Sequence, residues 1–244
     1  MRTVRCLTMT LVGALALAVS AALPASAIPR TNPGVTPPWA SKFVSGKTYG
    51  ELSAAWFKYA LEQPTPTNPP IDQTGVNCNS GQSGPVFFLV GLPGGGSVTR
   101  DACTVPAGRS LFFPLINAFE ANNPGENRNS WDVWQKLEKD FGPISELHAS
   151  IDAVPVRDLN PVHTPYRACA GPVARCSASP FSITLPADNI FGADQGRYAP
   201  TVADGFYLLL RPLSRGSHTI TFGGSGLYAG EETSQEITYH LTVS

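Results

Sequence analysis

Apolar and polar positions follow two rhythms along the chain. Between residues 48 and 63 the apolar side chains recur at helical spacing, with Leu52, Trp56, Tyr59 and Ala60 on one face. Thr48-Tyr49-Gly50-Glu51 opens this stretch as a capping box, in which the Thr48 hydroxyl accepts from the Glu51 amide while Glu51 reaches back. Pro64 and Pro66 end it. A second helix is expected from Ser130 as its cap, with Trp131, Trp134, Leu137 and Phe141 along one face and Gly142-Pro143 as its stop. Trp56 and Tyr59 read as core.

The other rhythm is β. Residues 86–90 (V-F-F-L-V) form a short run that is apolar on both faces, as in a buried strand. Gly94-Gly95-Gly96 predicts a turn, and residues 98–105 a partner strand that returns from it. Pro106-Ala107-Gly108 turns again into a third apolar run over residues 110–116. From Leu147 the period becomes two. Leu147, Ala149 and Ile151 alternate with polar residues, as do Phe181, Ile183 and Leu185, then His218, Ile220 and Phe222, and finally Ile237, Tyr239, Leu241 and Val243. Residues 206–210 are denser and read as a central strand. The pattern predicts a mainly β chain. An antiparallel Ig-like β-sandwich is expected over residues 144–244, packed on a β-rich part over residues 48–143 that carries the two short helices. Residues 28–47 are Pro-rich and expected to be extended.

The first 27 residues change the picture. Arg2 and Arg5 precede an apolar run from Leu11 to Leu23, and Ala25-Ser26-Ala27 closes it. These are the three parts of a secretory signal peptide. The run is too short for a comfortable membrane span, which needs about 20 residues. The chain is therefore expected to be secreted or held in a cell envelope, with no membrane span after cleavage. Cleavage after Ala27 removes two of the 17 basic residues and none of the 18 acidic ones, leaving a net charge of about −3. No basic stripe is present, so nucleic acid is not an expected partner. Gly and Pro, at 23 each, fit a loop-rich extracellular β protein.

Cys6 leaves with the signal and four cysteines remain, an even number in an exported chain. The pairings Cys78–Cys103 and Cys169–Cys176 are favoured because each brackets one local segment. Neither a zinc site nor a redox motif fits the spacing.

Two pairs of stretches carry a resemblance. The first is D-Q-T-G-V-N-C-N-S-G-Q-S-G-P-V-F-F-L-V-G with R-D-A-C-T-V-P-A-G-R-S-L-F-F-P-L-I-N. The second is A-D-G-F-Y-L-L-L-R-P-L-S-R-G-S-H-T-I-T-F-G-G with I-T-Y-H-L-T-V. Together they resemble a group of exported bacterial proteins of unknown function, and the second pair also resembles the closing strands of extracellular Ig-like modules. The resemblance implies no activity, cofactor or catalytic residue.

The known chemical signatures fail. G-L-P-G-G-G lacks the Lys and Ser/Thr of a phosphate loop. Ser83 and Ser225 do not satisfy G-x-S-x-G. Among the histidines, His148 and His240 oppose their apolar neighbours, His218 shares the apolar side near a strand end, and His163 sits in a loop free to reach a ligand. The most chemical-looking segment is the polar loop with Asp72 and Gln82 around Cys78, together with Asn117 and Glu120 after the third apolar run. Asp72 and Glu120 could form a carboxylate pair for hydrolysis or hold Ca²⁺, whose ligands are carboxylate and carbonyl oxygens. The competing reading is an Asx turn at Asp72 and a solvated Glu120. Three functions follow: a secreted, non-catalytic module that binds an envelope glycan, protein or small molecule; an extracellular hydrolase; or an assembly protein whose C-terminal strand pairs with another chain.

Overall fold

The computed structural model describes residues 32–244, so the expected signal peptide and its cleavage site lie outside the described residues. The segment expected to be extended holds a two-residue strand, β1 (Val35–Thr36), and a short helix, α1 (Ser41–Ser45). The main helix, α2 (Tyr49–Leu61), starts where the sequence predicts. The Glu51 amide donates to Thr48 Oγ1 at 3.1 Å, and the Thr48 amide donates to Glu51 Oε2 at 2.7 Å.

The strands are β2 (Val86–Phe88), β3 (Gly96–Val105), β4 (Ser110–Ala121), β5 (Phe141–Ile151), β6 (Val154–Pro155), β7 (Arg167–Ala170), β8 (Phe181–Leu185), β9 (Gly196–Leu210), β10 (Gly216–Tyr228) and β11 (Glu231–Val243). Among the described residues they form two sheets in a mainly β sandwich. The first sheet runs β1-β9-β4-β2, with β7 and β8 also paired to β9, and the second runs β3-β11-β10-β5-β6. Phe113 of the first meets Phe222 of the second at 4.5 Å between ring centroids. Helix α2 covers the other face of the first sheet, where Tyr49 meets Phe112 at 5.5 Å. Residues Thr201–Leu210 are buried throughout, as expected of the central strand.

The two expected halves share both sheets: β4 pairs with β9, and β3 with β11. Most pairings are antiparallel, but β3–β11 and β2–β4 are parallel. Residues 98–105 thus do not return along residues 86–90. The Gly94-Gly95 turn lies so close to β11 that a side chain at Gly95 would collide with the Ser234 carbonyl. The chain leaves that turn alongside β11 and joins the opposite sheet. The C-terminal strand is likewise no free edge, because β11 sits between β10 and β3.

The second helix, α3 (Ser130–Asp140), is capped by Asn129 rather than Ser130: Asn129 Oδ1 accepts from the Trp131 and Asp132 amides. Trp134 and Leu137 are buried, whereas Trp131 is half exposed. The helix stops one residue before Phe141, and Gly142-Pro143 belongs to β5 instead of ending the helix. Both expected disulfides are present, Cys78–Cys103 and Cys169–Cys176. Among the described residues no helix is long and apolar enough to cross a membrane.

Candidate functional site

A cleft of about 480 Å³ opens beside the C-terminal half of α2. One wall is Trp56, Phe57 and Ala60 of α2. The opposite wall is β4 from Ile116 to Phe119. The mouth is formed by residues 91–95 and by the end of the β10–β11 hairpin. Trp56 Nε1 donates to the Leu89 carbonyl at 2.8 Å, which fixes the helix to the mouth loop. Gly95 has to lack a side chain here, since a Cβ would strike the Ser234 carbonyl, and a Cβ at Gly91 would push aside the end of the Gln235 side chain.

A bulge in β4 decides what the cleft contains. Phe112 and Phe119 are seven positions apart, so a regular strand would put them on opposite faces. Both nevertheless pack on α2, Phe112 against Tyr49 and Phe119 against Phe57 at 5.2 Å. The register with β9 slips between Pro114 and Ile116, which inserts one residue and reverses the facing. Gln235 Nε2 clasps the bulge from the other sheet, donating to the Pro114 and Leu115 carbonyls at 3.2 and 2.7 Å. As a result Asn117 joins the face of Phe119 and lines the cleft. Its partner in register on β9 is Gly205, which adds no side chain to crowd it.

Asn117 Nδ2 is buried and makes no hydrogen bond. The Tyr207 hydroxyl accepts from Ser53 Oγ at 2.8 Å, and the nearby Asn117 amide helps to lower its pKa against the larger rise from burial, although no bond of normal geometry joins the two. A buried donor without an acceptor costs about 1–3 kcal/mol. Asn117→Leu is therefore expected to raise stability by about 1 kcal/mol, read from the urea midpoint. A decrease would mean that the amide has a protein partner.

The buttress of the cleft is Arg100, which is 1% exposed. Its Nε donates to the Asp72 carbonyl at 2.7 Å, Nη1 to the Val90 carbonyl and the Tyr239 hydroxyl, and Nη2 to the Pro70 and Gly91 carbonyls. All five guanidinium N–H groups thus have acceptors. Pro70 and Gly91 line the cleft, so one side chain sets the spacing of two parts of its wall.

The residues singled out from sequence fall in different places. Asp72 forms a turn, its Oδ1 accepting from the Thr74 amide and hydroxyl and its Oδ2 from the Asn77 amide. Partial burial works against its charge, but the bonds from Asn77 and Thr74 hold the carboxyl below its usual range. Gln82 bridges chain segments, donating to the Cys78 and Phe88 carbonyls and accepting from the Phe88 amide. Glu120 pairs with Arg128 at 3.0 Å and Lys136 at 3.4 Å, and borders a second hollow next to the cleft. His163 is exposed on its loop and borders neither space. Asp72 and Glu120 share no partner, and only Asn117 of the five lines the cleft. Among the described residues no three His, Cys, Asp or Glu side chains group as metal ligands.

One constellation imitates a catalytic triad. His218 Nδ1 faces Asp152 Oδ2 at 2.7 Å, and Nε2 lies 3.3 Å from Ser214 Oγ. Nε2 also lies 2.9 Å from the Ser214 carbonyl, which can only accept. Nε2 therefore donates to that carbonyl and does not offer the Ser214 hydroxyl the lone pair that a general base needs. Burial opposes the imidazolium, but the bonds to Asp152 and the Ser214 carbonyl hold its pKa above the usual range. Because the folded value is raised, this stabilisation is complete below the unfolded value of about 6.5 and is lost as pH rises through the folded value. Urea unfolding between pH 5.5 and 8.5 is expected to show that loss in the wild type and a flatter profile in Asp152→Asn. Equal profiles would sink the assignment.

No family model, curated protein or solved structure matches the chain. The function is therefore read from the cleft.

Proposed function

We propose that the chain is an exported, non-catalytic binding module whose ligand is a small, mainly apolar molecule held in the cleft between α2, β4 and the β10–β11 hairpin. The observation that carries this reading is the buried Asn117 amide in an otherwise aromatic and aliphatic wall. Binding pockets of this kind combine an apolar body with a few placed polar groups that orient the ligand. Asn117 Nδ2 is closed to solvent in the free protein, so a ligand carbonyl or hydroxyl meets it after the Asn117 side chain turns toward the cleft, which removes the cost of the unpaired donor. Export rests on the basic start, apolar run and A-x-A site at the N-terminus, and the two disulfides accord with it. The hydrolase reading draws no support from the geometry, because Asp72 is held by its own turn and Glu120 by Arg128 and Lys136.

Trp56 lines the cleft and serves as the reporter. Neutral alkanols, esters and aromatic alcohols are titrated into the protein while tryptophan emission and the thermal midpoint are followed. Saturable changes are expected for molecules that carry an acceptor. Leu92→Tyr fills the mouth from a half-buried loop position without adding a tryptophan, and is expected to weaken binding at least about tenfold with the fold intact. Equal uptake by this variant, or no saturable change with any probe, would contradict the reading.

A further inference from the structure

We propose, resting on that reading of the cleft, that its ligand is an elongated, neutral aliphatic carbonyl compound, such as a long-chain ester or amide, and that Phe191 is a movable partition through which the chain passes into a second hollow. That hollow has a volume of about 320 Å³ and is lined by Ile183, Leu185 and Tyr198 among others. It shares Phe119, Phe191 and Tyr228 with the cleft, so these three rings stand between the two spaces.

The three rings are not held alike. Phe119 stands on β4 and packs on Phe57 at 5.2 Å. Tyr228 stands in β10, paired to both neighbouring strands. Phe191 stands on a loop, is 48% exposed, and has one aromatic neighbour, Phe119, at 6.1 Å. The loop backbone is fixed, because Asn189 Oδ1 accepts from the Phe191 and Ala193 amides and its Nδ2 donates to the Pro186 and Ala193 carbonyls. A half-exposed ring on a fixed backbone changes rotamer at low cost and on a fast timescale. Turning it outward joins the two hollows without moving a strand.

The shape selects a flexible chain over a rigid ring system, since the ligand has to pass the gap beside Phe119 and Tyr228. The charge selects a neutral head. The cleft lining contains Glu231 and Glu232 and no Lys, Arg or His, so a carboxylate would meet like charge and no counter-ion. Asn117 is the amide of the cleft lining, and its unpaired Nδ2 donates to an ester or amide carbonyl once the side chain turns toward the ligand.

The test is a chain-length series of methyl esters from six to sixteen carbons, with the matching free acids, titrated into the full protein at pH 7 by isothermal calorimetry, which a new tryptophan at position 191 does not disturb. Affinity is expected to rise about fourfold per methylene, and to go on rising beyond the length that fills the cleft alone. In Phe191→Trp the rise is expected to stop at a shorter chain, and in Phe191→Ala it is expected to match or exceed the wild type. Free acids are expected to bind at least about tenfold more weakly than their esters. If short esters bind but the rise stops at one length in all three proteins, or if acids bind as well as esters, this inference is overturned while the cleft remains a binding site. If no ester of any length binds, the reading of the cleft itself fails.

Discussion

Arg100→Met is expected to be the most damaging single substitution considered for this fold, lowering stability by at least about 4 kcal/mol. The side chain is buried and makes no salt bridge among the described residues, so its charge is balanced only by dipoles. Four backbone carbonyls, those of Pro70, Asp72, Val90 and Gly91, receive its protons. Methionine keeps much of the volume and removes every donor, and each buried acceptor left alone costs about 1–3 kcal/mol. The Tyr239 hydroxyl keeps its exchange with the Val90 backbone, so it contributes less to the loss. Arg100→Lys restores the charge and at most three donors without the planar fork, and is expected to recover only part of the stability. Urea unfolding of the three proteins measures this directly. A loss under about 1 kcal/mol in Arg100→Met would show that the carbonyls find water, and the buttress would no longer account for the cleft wall.

The disulfides should rank by the loops they close. Cys78–Cys103 spans 25 residues and Cys169–Cys176 spans 7. Loop-closure entropy gives about 3.5 kcal/mol for the first and about 2.4 kcal/mol for the second. The first also secures the turn of Asp72, whose main-chain carbonyl accepts from Arg100. The double substitution Cys78→Ser/Cys103→Ser is therefore expected to lower the urea midpoint more than Cys169→Ser/Cys176→Ser. The opposite order would mean that the shorter loop carries native contacts that outweigh the entropy difference.

What was legible in the sequence was what local chemistry determines. The capping box placed the start of α2, period two placed most of the C-terminal strands, and local bracketing paired the cysteines. The Asx-turn reading of Asp72 matched its bonds to Thr74 and Asn77. Long-range pairing was not legible. The Gly94-Gly95 turn has the composition of a hairpin, yet the partner of the next strand is β11, more than a hundred residues away. A turn sequence states that the chain bends and does not state which sheet receives it. Asn117 was named for its place after an apolar run, but its facing depends on one inserted residue at Leu115, and a single slip reverses every side chain beyond it. Arg100 carries no signal in the sequence, because its acceptors are main-chain carbonyls, which no residue type advertises. Trp56 reads as core; it is buried, and it is also a wall of the cleft. Nothing in the sequence singles out Phe191, and only the fold brings it beside Phe119.

The central claim is that the buried Asn117 amide waits for a ligand acceptor. The most direct measurement is a titration of a uniformly ¹⁵N-labelled sample with a neutral long-chain ester, following the side-chain amide pair of Asn117, assigned by its absence in Asn117→Leu. A saturable downfield shift of that pair is expected, with the same dissociation constant as the change in tryptophan emission. An Asn117 pair that stays still while Trp56 reports saturation, or while the affected signals lie elsewhere on the protein, would contradict it.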